Sequence, residues 1–446
     1  MSHRFDLSHD LELAHRAVQR AKALGADEAC ANVSRGVQAS ITRRDGRVEQ
    51  ATESETRGLS ISILLDDKWS SHGTSDLRAS ALETFLARGV EATRLLEPDP
   101  DRRLPDAALC GRGASDAALD QLDPAWAHHT PEARAAAAEA LEREAAAAPV
   151  PGTLSSAVSV GDGFSASARV ASDGFADATT EAWFMAGGEC TILDGERRPE
   201  AGSWYGTRYQ SELPPFAQLA AEIAERVSAR IGTGPIASGT YPLVLVNRAA
   251  GKLLGLLGGP LAGSSLHEGR SCLADRLGTR IGSDLLTLVD DPLLPRALGS
   301  RPWDGDGMVA RPRTIVENGV LQSFYLNVYY ARKLGKAPTT GGRSNWVVPT
   351  GLLPWTEIIR DMPQALVIDG FLGGNANSAT GDFSFGVQGS LYERGERVRA
   401  ISEMNVSGNV LDVFHRLIAT GNDPWAYSSV ISPSLVLDGI SFSGTG

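Results

Sequence analysis

The sequence predicts an α+β protein: an N-terminal domain of mixed helix and antiparallel sheet over residues 1–232, then a β-rich domain with short helices over 233–446. Three observations carry this. Amphipathic helical segments and segments of period-two alternation follow one another along the chain. Hairpin signals, Asp45-Gly46, Asp194-Gly195 and Asn318-Gly319, sit between alternating runs. A chain of 446 residues also exceeds what one ordinary core buries, so two domains are the default.

The first element is a helix over "LSHDLELAHRAVQRAKALG", with Ser8 as cap, Leu11, Ala14, Val18 and Ala21 on one face, and Gly25 as stop. Alternating strands follow, turning at Asp45-Gly46 and Asp66-Asp67. A second amphipathic helix over "SDLRASALETFLARGVEATRLL" ends in the punctuation "EPDPDRRLP". Residues 131–147 make a helix with Pro131 acceptable in its first turn. Further strands turn at Asp194-Gly195, and "PPFAQLAAEIAERVSARIG" is a helix that ends at Gly232, the predicted boundary. Beyond it strands dominate, with short helices over the end of "SFYLNVYYARKLG" and over "NVLDVFHRLIATGND".

Composition narrows the function. The net charge of -12 lacks the basic face that nucleic acid or an anionic membrane surface requires. The start of the chain has no apolar signal-peptide core, and no run of 18 apolar residues exists, so the reading is cytoplasmic. The four cysteines are scattered without a CxxC pair, as buried thiols in a reducing compartment would be.

One short stretch invites chemistry. In "GSSLHEGRSCLADRLG", Gly263 to Gly278, His267-Glu268 precede Cys272, as in a metallopeptidase motif with one ligand exchanged. Cysteine is a good zinc ligand, and Glu268 could serve as a base. The geometry opposes this: at about 100° per residue, positions i and i+5 of a helix lie roughly 140° apart. The third ligand is also missing. No cysteine follows Cys272, and the only later histidine is His415, on a helical pattern. The alternative is an ordinary helix capped by Ser264 or Ser265. Glu268 would then sit near its N-terminus, favourable to the dipole, and Leu266, Leu273 and Leu277 would form a buried stripe beside Cys272.

The acidic turns "ASDGFADA" and "WDGDGMV" lack the spacing of a calcium loop. More suggestive are polar residues in glycine-rich turns: Asn345-Trp346, Thr380-Gly381-Asp382 and Ser384. Turn chemistry explains them. A groove that binds extended peptide by strand addition would use the same residues, with few side-chain signatures.

The segments "DLLTLVDDPLLPRALGSRPWDGDGMVARPRTIVENGVLQSFYLNVYYARKLG", "GGRSNW", "SATGDFSFGVQGSLYERGE" and "NVSGNVLDVFHRLIATGND" together resemble the TldD/PmbA family. The likeness runs over nearly the whole chain. It implies one of two branches: TldD-type metallopeptidases with HExxxH and a C-terminal cysteine, or TldE/PmbA-type subunits that lack these ligands. "GRSCLADRLG" is similar to the second branch, and "AYSSVISPS" stands where the first has its cysteine. The resemblance therefore implies a catalytically silent subunit with no metal of its own. It would form a heterodimer with a zinc-bearing TldD-like metallopeptidase and enclose unfolded peptides, in general proteolysis or a natural-product pathway. A homodimer in isolation is compatible with this. The alternatives are a stand-alone homodimeric metallohydrolase using His267, Glu268 and Cys272, and a non-enzymatic peptide-binding protein.

Overall fold

The computed structural model describes residues 6–444. In chain order the N-terminal half holds α1 (Ser8–Ala23), β1 (Glu28–Arg44), β2 (Arg47–Leu65), β3 (Lys68–Thr74), α2 (Ala79–Arg94) and α3 (Asp116–Leu119). Then come α4 (Pro131–Ala147), β4 (Thr153–Ala171), β5 (Ala176–Ile192), β6 (Glu200–Thr207) and α5 (Phe216–Ser228). The strands form one antiparallel sheet in the order β3-β2-β1-β4-β5-β6.

The helices cover one face of this sheet. Side chains alternate along a strand, and the β1/β4 register runs unbroken, so Ala31, Val33 and Ile41 share a face with Val158, Val160 and Val170. α1 and α2 pack on one half of that face, around Leu59, Ile61 and Ile63. α4 and α5 pack on the other half, around Val158, Ala186 and Ile192. The opposite face carries polar residues such as Asn32, Ser167, Thr179 and Glu181, with Ser167 Oγ donating to Asn32 Oδ1 at 2.7 Å. An antiparallel sheet with one wet face reads as clean alternation in sequence.

The turns follow their chemistry. Asp45 and Gly46 have φ of 49° and 83°, and Asp66 and Asp67 have 50° and 59°, the paired left-handed conformation of a two-residue hairpin. Asn318 (48°) and Gly319 (80°) repeat it. Ser8 does not cap α1: it lies inside the helix, and its backbone N–H donates to Asp6 Oδ1 at 2.9 Å. Thr130 caps α4 by accepting from the Ala133 N–H, with Pro131 in the first turn.

The C-terminal half starts with β7 (Gly239–Leu245), α6 (Asn247–Leu254) and α7 (Gly263–His267). β8 (Leu288–Asp290), β9 (Arg313–Glu317), β10 (Val320–Leu321), α8 (Val328–Lys333), β11 (Trp346–Val347) and α9 (Trp355–Ile358) follow. The chain ends with β12 (Ala365–Ala376), β13 (Asp382–Glu393), β14 (Glu396–Asn409), α10 (Val410–Val413), β15 (Leu417–Thr420), β16 (Val430–Ile431) and β17 (Leu435–Gly444). One sheet has the order β10-β9-β8-β11-β16. The other runs β14-β13-β12-β7-β17-β15, and β14 also pairs with β17, so this sheet curls round on itself. Leu245, Ile368, Phe385, Val387, Ile401 and Leu437 are buried in the core it wraps.

The two halves are stitched together by residues 97–126. Gly113 N–H donates to the Pro302 carbonyl at 2.8 Å, Val309 N–H to that of Leu109 at 2.9 Å, and Tyr329 Oη to Asp99 Oδ2 at 2.8 Å. Arg230, 3% exposed in its side chain, pairs with Asp369 at 2.6 Å. Among the described residues no helix is long and apolar enough to cross a membrane.

Two predicted helices are much shorter than expected. "NVLDVFHRLIATGND" yields only α10 and one 3-10 turn (Phe414–Arg416) before entering β15. Val410, Val413, Phe414 and Leu417 are buried at helical spacing, but Leu417 is claimed by pairing with Leu437 of β17. Tertiary pairing overrides local periodicity there. The helix through "LHEGRSCLADRLG" is instead the five-residue α7. Ala262, not Ser264 or Ser265, is its N-cap, and no side chain caps it. Gly269, at φ 66°, ends it: Gly269 N–H bonds the Leu266 carbonyl and Arg270 N–H that of Ser265 at 2.8 Å.

Candidate functional site

The early end of α7 rearranges its motif. Glu268 becomes the C-cap, so its charge lies at the negative end of the helix, opposite to the favourable placement expected, and it pairs with Arg270. His267 is exposed and tilts against Tyr330, ring centroids 6.1 Å apart. Cys272 turns the other way. Its backbone N–H donates to the Ser378 carbonyl at 2.9 Å, and its side chain packs on the C-terminal core. Burial pushes the Cys272 thiol up, opposed by its own backbone N–H and by Arg276. Leu273 is fully buried, whereas Leu277 is 46% exposed, so only part of the expected stripe exists.

Cys272 abuts the turn between β12 and β13. A Cβ on Gly381 would lie 3.3 Å from its Sγ. Gly381 has φ 84°, which only glycine adopts without strain. The turn closes through Gly381 N–H to the Asn377 carbonyl (2.7 Å) and Asn377 N–H to that of Asp382 (2.8 Å). Asn409, at the end of β14, fastens it: its Nδ2 donates to the Thr380 carbonyl at 2.9 Å and to Asp382 Oδ1 at 2.8 Å. The Asn409 amide and the Thr380 hydroxyl hold the Asp382 carboxyl below the usual carboxylate range. Thr380, Asp382 and Ser384 are exposed, and Ser384 pairs across β13 with Asn375 and Ser407. These three side chains form one polar surface beside Cys272.

Asn345 and Trp346 do not join them. Both are fully buried. Asn345 Oδ1 accepts from Gly299 N–H at 2.8 Å, while its Nδ2 donates to the Asp291 carbonyl and to Ser300 Oγ, each at 2.8 Å. Trp346 Nε1 donates to Tyr325 Oη at 2.5 Å, and its backbone lies between β8 and β16. These side chains are internal fasteners; every polar atom they own is occupied within the fold.

Sequence reasoning overlooked two buried carboxylates. Asp290, 2% exposed, accepts from Ser344 N–H at 2.7 Å, and burial raises its carboxyl above the usual range. Asp162 is 1% exposed and meets His129 Nδ1 (2.9 Å), Trp126 Nε1 (2.9 Å) and Arg134. Burial pushes the Asp162 carboxyl up, and the hydrogen bonds from His129 and Arg134 outweigh it, so the group stays ionised. His129 thus lies in a packed cluster, against Asp162 and Phe184. Lone carboxylates far from one another in sequence give no pattern that would announce such clusters. The acidic turns behave as turns: Asp304 Oδ1 accepts from the N–H of Asp306 and of Met308, and Asp173 Oδ1 from Phe175 N–H.

Residues 238–444 match the model of the PmbA/TldA metallopeptidase C-terminal domain, and residues 31–93 match that of PmbA/TldA metallopeptidase domain 1. A crystal structure of a candidate modulator of DNA gyrase from Bacteroides thetaiotaomicron is 34% identical and superposes with a TM-score of 0.94, covering 98% of this chain and 99% of that one. The chain belongs to the PmbA/TldD family. Another member, the metalloprotease PmbA of Escherichia coli O157:H7, is 27% identical over 415 residues, 92% of this chain and 91% of that protein. TldE from Thermococcus kodakarensis shares the fold at a TM-score of 0.83 and 17% identity, over 97% of this chain and 100% of that one.

The metallopeptidase name raises the question of a catalytic zinc in this member of the PmbA/TldD family. Its donors do not fit one. Zinc needs three protein ligands converging within bonding distance. Here His267 lies over Tyr330 while Cys272 packs against Gly381, and among the described residues no group of three or more His, Cys, Asp or Glu is placed to hold a metal ion.

Proposed function

We propose that this chain is a TldE/PmbA-like subunit, catalytically silent alone, that pairs with a TldD-like metallopeptidase and presents unfolded peptide to the partner's zinc. The observation that carries this reading is the divergence of His267 and Cys272 on a helix that ends between them, in a family whose relatives bear the name metalloprotease. Thr380, Asp382 and Ser384, exposed beside that segment, are the peptide-contacting side chains of the proposal. Ser384 is paired on both sides within the sheet, so the contacts here would come from these side chains and not from an added strand. The acidic chain suits a soluble cytoplasmic role without nucleic acid.

Elemental analysis of the purified, dialysed chain tests the metal assignment. Zinc far below stoichiometric is the expected result. Retention of about one zinc per chain, lost in His267→Ala, would point to a site assembled around the motif and favour the stand-alone hydrolase.

A further inference from the structure

Beside the Thr380–Asp382 turn lies a pocket of about 440 Å³, and Asn409 forms the wall between the two. Asn409 has no free donor to offer, since its Nδ2 is committed to that turn and its Oδ1 accepts from Leu411 N–H. The pocket's chemistry comes instead from Arg276, Arg280 and His415. Arg276 is exposed, and its guanidinium has no ion pair or hydrogen bond among the described residues. Arg280 is anchored through Nη1 alone, to the Asn318 carbonyl at 3.0 Å, the Gly282 carbonyl at 3.3 Å and the carboxylate of Asp284. Its Nε and Nη2 have no partner among the described residues. One carboxylate, Asp412, lines the pocket against these two guanidiniums. The floor is apolar, from buried Ile281 and half-buried Leu411.

In a chain of net charge -12, two under-used guanidiniums around an apolar floor form a local site for an anion that carries a hydrocarbon group. We propose that this pocket receives the free α-carboxylate of a peptide, clamped by Arg276 and Arg280, with the terminal side chain on Ile281 and Leu411. The proposal rests on the peptide-binding reading above and extends it: a peptide lying along Thr380, Asp382 and Ser384 ends here, past Asn409. Binding would then favour chain ends over internal segments, a preference that contact with the polar turn alone does not give.

The test is fluorescence anisotropy on the purified chain, using a short unstructured peptide that ends in leucine and is labelled at its amino end. It is prepared as the free acid and as the C-terminal amide. The free acid should bind about tenfold more tightly than the amide, as expected for a charge-assisted hydrogen-bonded pair. Arg276→Gln, an exposed change that should leave the melting temperature in place, should erase that difference. Equal binding of acid and amide to the parent chain, or a difference that survives in Arg276→Gln, overturns the carboxylate pocket and leaves the peptide reading standing. No binding of either peptide overturns both.

Discussion

Incubated with an unstructured peptide, the purified chain should leave it intact, and adding a cognate TldD-like chain should start cleavage that a chelator stops. The reasoning is chemical. Hydrolysis of an amide by a metallopeptidase needs a metal-bound water and a base beside it. Among the described residues the motif of that kind is dispersed: His267 by Tyr330, Glu268 paired with Arg270, and Cys272 held on the core with its thiol pushed up. The contrast between the chain alone and the pair should reach at least a hundredfold, since metal activation of water supplies several kcal/mol of barrier lowering, and each 1.36 kcal/mol is tenfold. Steady cleavage by this chain alone, abolished by chelation, would mean that the ligands rearrange when substrate binds.

Replacing Trp346 by Ala should cost about 3–5 kcal/mol of stability in the C-terminal domain. The indole is fully buried, joins β8 to β16 through its backbone, and gives the buried Tyr325 hydroxyl its donor at 2.5 Å. Removing it opens a cavity and leaves Tyr325, 5% exposed, with a lost partner, two costs that act together. If Trp346 were chiefly a peptide contact, the same change would weaken peptide binding and leave the unfolding transition where it was. Calorimetry of the parent and the variant distinguishes the two roles.

The parts of this fold that sequence discloses are those set by local chemistry. Asp45-Gly46, Asp66-Asp67 and Asn318-Gly319 turn where they do because those residue types tolerate positive φ. Arg394-Gly395, between β13 and β14, adopts the same pair of angles (50° and 79°), and Arg gives no such signal. α1, α2 and α5 are legible because each lies on a wide sheet face and keeps an apolar stripe. In the C-terminal half the sheet curls and the helices shrink, so partners distant in sequence decide each residue's state. Leu417 leaves a helical period to pair with Leu437, and Gly269 ends α7 before the motif can form a second turn.

The site divides in the same way. Thr380 lies in a tight turn and Asp382 and Ser384 at the start of β13, and all three stay exposed. Asn345 and Trp346 sit in an equally glycine-rich stretch, yet buried Ser300, Asp290 and Tyr325 surround them, drawn from three other segments. The pocket of Arg276, Arg280 and His415 could not be seen beforehand, because the path of residues 276–280 depends on where α7 stops.

The most direct measurement is the rate of peptide cleavage by the reconstituted pair carrying His267→Ala and Cys272→Ser together in this chain, with the melting temperature as a control for folding. A rate within a few-fold of the parent pair is expected, because His267 lies by Tyr330 and Cys272 by Gly381, too far diverged to act together. A loss of a hundredfold or more at an unchanged melting temperature would contradict it and return the motif to the role of a catalytic metal site.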